Sequence, residues 1–284
     1  MPTAVVNRCR FYYEVSGRGP TVVFLHGENH NLDMFADQVR ALSDRYQCLA
    51  YARRGHMKTE ATPYGYSLHH QVLDLGGILD ALGVERVVLV AVAMSTPIAT
   101  SYALGHPERV RGLVLVSWYE LDGYPAAEGR RRGTHPITFP ELNLLLDEAQ
   151  RSGGTPAVAE FIDRESSRLF PIFPTEPTIR QRLIRMFADH PAGRYIHAAE
   201  YYTSLPNLVA ELPRLKCPIL GICGQDDPSP DRPELVSGMP NFRQEWIPRA
   251  RRFTLMEEPA TFNGLLSNFL DAVGLTAVNT ARDG

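Results

Sequence analysis

Lysine is nearly absent from the 284-residue chain: only Lys58 and Lys216 occur, so arginine carries almost all of the basic charge. That bias reads as genomic and assigns no function. No basic surplus exists, since the formal net charge is −3 and the pI about 6.3. This leaves no electrostatic basis for holding nucleic acid or an anionic membrane. Cysteine is also scarce. Cys9, Cys48, Cys217 and Cys223 show no CxxC spacing, which removes the usual zinc-site pattern and favours reduced core thiols over a disulfide framework. No apolar run approaches the roughly 20 residues that span a bilayer. The opening MPTAVVNRCR lacks the basic-then-apolar order of a secretory signal. A cytoplasmic protein with no metal and no cofactor is therefore expected.

What is present is an ordinary globular composition, 44% hydrophobic and 21% charged. The length suits one large domain, with or without an insertion. RFYYEVSG (10–17) and TVVFLHG (21–27) read as strands, LDMFADQVRALSD (32–44) as a helix and YQCLAYARRG (46–55) as a strand. SLHHQVLDLGGILDALG (67–83) is helical and stops at Gly83. RVVLVAVAM is a fully apolar strand, STPIATSYALGHP a helix and VRGLVLVSWY (110–119) a further strand. Continuous apolar strands alternating with helices predict a mostly parallel sheet covered on both faces. Strand signals then cease over residues 121–207. Four helical segments there, ITFPELNLLLDEAQ, TPAVAEFIDRESSRLF, TIRQRLIRMFADH and RYIHAAEYYTSLPNLVAEL, predict an inserted helical lid over a core of residues 1–120 and 208–284. CPILGICGQDD (217–227), RQEWIP (243–248) and TFNGLLSNFLDAV (261–273) complete the core.

VVLVAVAMSTP (87–97) has the form of a strand-to-helix elbow, with a proline inside the start of the helix. Together with HGENHNLDMF (26–35), YARRGHMKT (51–59), HPERVRGLVLVS (106–117), GQDDPSP (224–230) and IPRARRFTLMEEP (247–259), it makes the chain resemble the α/β-hydrolase superfamily over roughly residues 10–272. The resemblance implies a Gly-x-Ser-x-Gly elbow, but the five positions are Ala91, Val92, Ala93, Met94 and Ser95. Ala93 stands where the nucleophilic serine is expected, and an aspartate nucleophile of the epoxide-hydrolase type is absent as well. Arg252 stands where the general-base histidine is expected, and arginine does not accept a proton at neutral pH. Only the acid is retained, as Asp227. The family's pairing of acid and base predicts that Asp227 and Arg252 are neighbours, either as an ion pair alone or with Arg252 binding a substrate carboxylate, enolate or phenolate.

The resemblance also places the backbone N–H groups of Glu28 and Met94 in the oxyanion hole. A carboxylate at position 28, enclosed by a lid, is expected to have its pKa raised by desolvation and to act as general acid or base. The alternative is a Glu28 that faces solvent or pairs with an arginine. His30 is expected at the pocket mouth, shuttling a proton to or from Glu28, while His26 and His56 are expected to be structural. Trp118 and Tyr119, and the lid residues His197 and Tyr201 at helical spacing, are expected around a flat, partly apolar ligand, with Ala93 and Met94 at its floor.

Two classes of function follow. One is a non-hydrolytic enzyme (cyclisation, dehydration, isomerisation or decarboxylation) acting on a small polyketide-like or aromatic metabolite. The other is a ligand-binding pseudoenzyme without turnover. A residual hydrolase through Ser95, Thr96 or an activated water is the third reading. The expected partner is a small molecule, with a homodimer through the lid or the last strand a further expectation.

Overall fold

Eight strands form one sheet in the order β1-β2-β4-β3-β5-β6-β7-β8. They are β1 (Thr3–Val6), β2 (Cys9–Ser16), β3 (Thr21–Leu25), β4 (Gln47–Tyr51), β5 (Val87–Val92), β6 (Val110–Val116), β7 (Ile219–Gly224) and β8 (Phe242–Ile247). The computed structural model describes residues 1–118, 121–123, 138–169, 173–227, 235 and 237–275. β1 and β2 pair antiparallel and β2 meets β4 antiparallel, whereas every neighbour from β4 to β8 is parallel. The short edge strand β1 is not anticipated by the sequence reading. Its four residues are too few to show a period, and Val5 is 73% exposed. Asn7 and Arg8, both at positive φ, turn it into β2.

β3, β5 and β7 are buried at every residue, as strands covered on both faces must be. The twofold alternation of side chains divides the interior into two layers. Val88, Val90 and Val92 face a layer closed by α8 (Pro259–Ala272), which contributes Phe262, Leu266 and Phe269. Leu89 and Ala91 face the opposite layer, closed by α2 (Leu68–Ala81) with Leu75 and Ile78, and by α3 (Thr96–Gly105) with Ile98 and Tyr102. The core also holds α1 (Ala36–Leu42) and the single turn α7 (Thr254–Glu257).

Among the described residues, three α-helices lie between β6 and β7: α4 (Phe139–Leu169), α5 (Pro177–Ala188) and α6 (Arg194–Thr203). α4 is broken at Gly153 and Gly154, the latter at φ +66°, so its halves correspond to the two separate helices read from the sequence. α5 starts where Pro177 needs no N–H partner and the Glu176 carboxylate accepts from the N–H groups of Thr178 and Ile179 at 3.0 and 2.7 Å. Leu142, Leu146, Val158, Leu183 and Phe187 of α4 and α5 join the first layer. Ala198, Tyr201 and Tyr202 of α6 join the second. All four cysteines are buried. Among the described residues, no helix is long and apolar enough to cross a membrane.

Candidate functional site

The turn at the end of β5 carries backbone strain. Ala93 adopts φ +47°, a left-handed conformation that costs a residue with a Cβ about 1–2 kcal/mol. Pro97 falls in the first turn of α3, where a missing N–H is harmless, which explains a proline at the start of a helix. Ser95, two residues past the turn, is fully engaged. Its Oγ accepts from the Val92 N–H at 2.8 Å and donates to the Leu25 carbonyl at 2.7 Å. The hydroxyl therefore stitches β5 to β3. The Met94 carbonyl accepts a hydrogen bond from the Tyr201 hydroxyl of α6.

Past β7 and β8, two loops converge because Gly224 allows it. A Cβ there would collide with the carbonyls of Ala250 and Arg251. The Glu257 carboxylate accepts from the N–H groups of Arg251 and Phe253 at 3.1 and 2.9 Å, fixing the loop between them. Arg252 is thereby presented to Asp227, with Nε 3.0 Å from Oδ2 and Nη2 3.5 Å from Oδ1. The Asp227 side chain is fully buried and that of Arg252 is 14% exposed.

A second and larger charge cluster lies beyond the end of β3. Glu28 is buried between two guanidinium groups, Arg53 from the end of β4 and Arg194 from the first turn of α6. Of the two expectations for position 28, the structure shows the arginine-paired one, so Glu28 is engaged by its neighbours rather than at liberty to move protons. His56 joins the cluster. Its Nδ1 lies 3.0 Å from the Arg54 carbonyl, while its Nε2 accepts from Arg194 Nη2 at 2.6 Å and lies 3.6 Å from Glu28. His26 is held on both sides, Nδ1 against the Gly27 carbonyl at 2.8 Å and Nε2 accepting from the Arg53 N–H at 3.0 Å. The His26, His56 and His190 rings follow one another at 4.7 and 4.9 Å. Burial, reinforced by neighbouring charge, holds all three well below the ordinary histidine pKa. Arg53 also lies over the Tyr201 ring at 5.2 Å.

His30 is not at an exposed mouth. It is buried, with Phe187 and Phe253 packed edge-on at 5.1 and 5.2 Å. The burying wall comes from α5 and from the loop that carries Arg252. Neither ring nitrogen has a hydrogen-bond partner among the described residues. Burial, then the electrostatic influence of the Arg53 guanidinium, with His56 and Arg252 as smaller contributors, pushes its pKa down to about 3. The ring packs against Gly27 so closely that a Cβ on Gly27 would meet His30 Nδ1 at 2.6 Å and the Val92 carbonyl at 3.3 Å. His30 thus sits beside the elbow on one side and near Arg252 on the other. A cleft of about 540 Å³ has a lining that includes Asn31, Pro156, Arg182 and Asp189. Asn31 and Asp189 are the sequence neighbours of His30 and His190.

Two other expected residues are placed elsewhere. Trp118 packs below the sheet on Phe242, ring centroids 5.3 Å apart, and its indole N–H donates to Gln244 at 3.1 Å. It belongs to the second layer with Met94 and Tyr201, whereas Ala93 and Phe253 belong to the first. His197 stacks on Tyr66 at 5.1 Å, a packing contact. Tyr119 lies outside the described residues. Arg53, Arg194 and His190 were missed by the sequence reading. Arg53 lies in the quoted YARRGH run, where an arginine at the buried end of a strand is a readable signal. Arg194 and His190 carry none, since nothing local ties them to residue 28.

A mostly parallel sheet wound in this order, with a strained turn after β5 and an acid after β7, defines the α/β-hydrolase fold. A family model described as alpha/beta hydrolase fold matches residues 20–142, and the matches together support the α/β-hydrolase superfamily. A Bacillus subtilis (strain 168) protein provisionally named 2-succinyl-6-hydroxy-2,4-cyclohexadiene-1-carboxylate synthase is 27% identical over 92% of this chain and 95% of its own. Epoxide hydrolase 2 of Siraitia grosvenorii is 35% identical over 44% of this chain, and the match spans 40% of that protein's length. The enol-lactonase from Burkholderia xenovorans LB400 superposes with a TM-score of 0.77 at 23% identity, covering 95% of this chain and all of that one, a likeness of fold.

Proposed function

We propose that this protein is an enzyme working without a Ser-His-Asp triad. It would catalyse non-hydrolytic proton-transfer chemistry on a small polyketide-like or aromatic metabolite beneath a lid formed by residues 121–207. The observation that carries this reading is the pairing of a strained elbow that presents Ala93 with an Arg252–Asp227 ion pair where a base and its acid are expected. Ala93 offers no nucleophile, and Arg252 accepts no proton. Ser95 is a poor substitute, because its hydroxyl is committed to backbone partners on both sides.

The proton-moving role falls to His30 rather than Glu28. A neutral imidazole with two open nitrogens can take a proton from an acidic C–H or O–H and return it to another atom of the substrate. At rest it is a weak base, with its pKa pushed down to about 3. Negative charge developing on the substrate would raise that pKa, so base strength would rise where and when it is needed. Arg252, oriented by Asp227, and the backbone N–H groups of Glu28 and Met94 would hold the developing enolate or phenolate charge. The surrounding Phe187 and Phe253 exclude water, which strengthens each of these interactions. The name of the Bacillus subtilis relative, a synthase of a cyclic hydroxy-carboxylate, agrees with this class of chemistry.

Proton exchange in D2O, followed by NMR, tests the proposal on 2-succinyl-6-hydroxy-2,4-cyclohexadiene-1-carboxylate and a panel of cyclic β-keto acids. The wild type is expected to accelerate exchange or conversion of at least one of them about 100-fold, with the acceleration lost in His30→Phe and p-nitrophenyl acetate left intact. Exchange that survives in His30→Phe, or ester hydrolysis that depends on Ser95, would overturn it.

A further inference from the structure

The charges around Glu28 do not balance. Arg53 and Arg194 are 2% and 1% exposed, and Glu28 is the one carboxylate among the described residues that pairs with either. The histidines add no negative charge, and two of them are fixed as neutral by geometry. His26 Nε2 accepts from the Arg53 N–H and His56 Nε2 accepts from Arg194, so neither nitrogen holds a proton. Two guanidinium groups against one carboxylate leave a surplus of one positive charge among the described residues. Donors are in surplus too: Arg53 Nε and Nη1 and Arg194 Nη1 are buried without an acceptor. A guanidinium does not shed its proton to relieve this, and an uncompensated buried charge is strongly destabilising. A chain that needed only to close its core could place an apolar residue at position 53 or 194.

We infer that Arg53 and Arg194 form a binding site for one carboxylate of the substrate, seated beside Glu28 with the open guanidinium N–H groups as its donors. This names the substrate class for the function proposed above and rests on that reading for the ligand's being a substrate. Charge selects a single anion, since one negative charge neutralises the cluster and a phosphate dianion would overshoot. Geometry favours carboxylate as well, whose two oxygens match the guanidinium fork. Glu28 divides the two arginines between itself and the ligand and keeps the site from admitting a second anion. The reacting part of the molecule would extend past Gly27 towards His30 and Arg252.

Isothermal titration calorimetry at pH 7 with the full chain tests this, using acetate and benzoate against acetamide and benzamide, with inorganic phosphate as a further anion. At least one carboxylate is expected to bind 30-fold or more tightly than its amide, with phosphate weaker than that carboxylate. Arg53→Gln and Arg194→Gln, checked for folding by circular dichroism, are expected to reduce carboxylate affinity at least 10-fold and leave amide affinity unchanged. If the arginine variants do not fold, the wild-type comparison of acid with amide decides alone. Amides binding as tightly as acids, no measurable binding of either carboxylate, phosphate binding more tightly, or folded arginine variants with full carboxylate affinity would overturn the site. Charge-selective binding without His30-dependent proton exchange would remove the proposed reaction and keep the carboxylate site. Exchange without charge selectivity would do the reverse.

Discussion

Arg194, the first residue of α6, is ion-paired with Glu28 of the loop after β3, their side chains 1% and 6% exposed. The pair ties the helices inserted between β6 and β7 to the end of the sheet, and its two members are not equivalent. Removing Arg194 leaves Glu28 balanced by Arg53, whereas removing the carboxylate leaves two guanidinium groups facing each other. Glu28→Gln is therefore expected to cost about 3–5 kcal/mol, and Arg194→Met distinctly less. Urea denaturation of the two variants measures the order, and equal losses would contradict the charge count.

Acid should unfold this protein through its histidines. His30 has its pKa pushed down to about 3, and His26, His56 and His190 are held well below the usual value, burial being the first cause in each. Above pH ~6.5 both folded and unfolded states are neutral at these sites, and their contribution to stability is complete. Below that pH the unfolded chain takes up protons that the folded one refuses, so stability falls by about 1.4 kcal/mol per pH unit for each histidine. For His30 the loss continues down to about pH 3. His30→Phe, which suits a site walled by Phe187 and Phe253, should remove one histidine's share of the slope. Chemical denaturation at pH 7, 6 and 5 reads the difference.

If, as proposed, Ala93 and Arg252 hold the places of a nucleophile and its base, a hydrolase could be rebuilt there. Ala93→Ser alone should hydrolyse no p-nitrophenyl acetate, because Arg252 accepts no proton and His30, its pKa pushed down to about 3, is too weak a base to activate a serine hydroxyl. Ala93→Ser with Arg252→His should raise hydrolysis at least 10-fold above wild type, Asp227 then lying where it can orient the new imidazole. A single Ala93→Ser variant as active as the double would show that another base serves the elbow.

Ser95→Ala separates structure from chemistry at the same turn. The variant loses a buried donor to the Leu25 carbonyl and an acceptor for the Val92 N–H, and should be destabilised by about 1–3 kcal/mol. Proton-exchange activity per folded molecule should be unchanged, and a thermal melt run beside the NMR assay distinguishes the two effects.

The sheet was legible because its signals are local. VVLVAV and ILGICG show continuous apolar runs, Gly83 stops a helix, and the Gly153-Gly154 pair splits one. The Arg252–Asp227 contact could also be anticipated, since position in the fold determines both residues. The partner of Glu28 could not. Arg194 sits in RYIHAAEYYT, where nothing distinguishes it from a solvated helix residue, and only the folded chain brings it to the end of β3. His30 illustrates the same limit in burial: ENHN reads as an exposed polar loop, yet α5 and the segment after β8 supply the phenylalanines that enclose it. Charge partners distant in sequence leave no periodic trace.

The inserted helices contribute to both hydrophobic layers, α4 and α5 to one and α6 to both, through Tyr195 on one side and Ala198, Tyr201 and Tyr202 on the other. They therefore cannot melt separately, because losing them would uncover apolar side chains on the two sides of the sheet together. Core and insertion should behave as one cooperative unit, with a single calorimetric transition whose enthalpy matches the van't Hoff value. Function and stability then share the same residues: any change that loosens the contact between α6 and the end of β3 to admit a larger ligand lowers the melting point of the entire molecule.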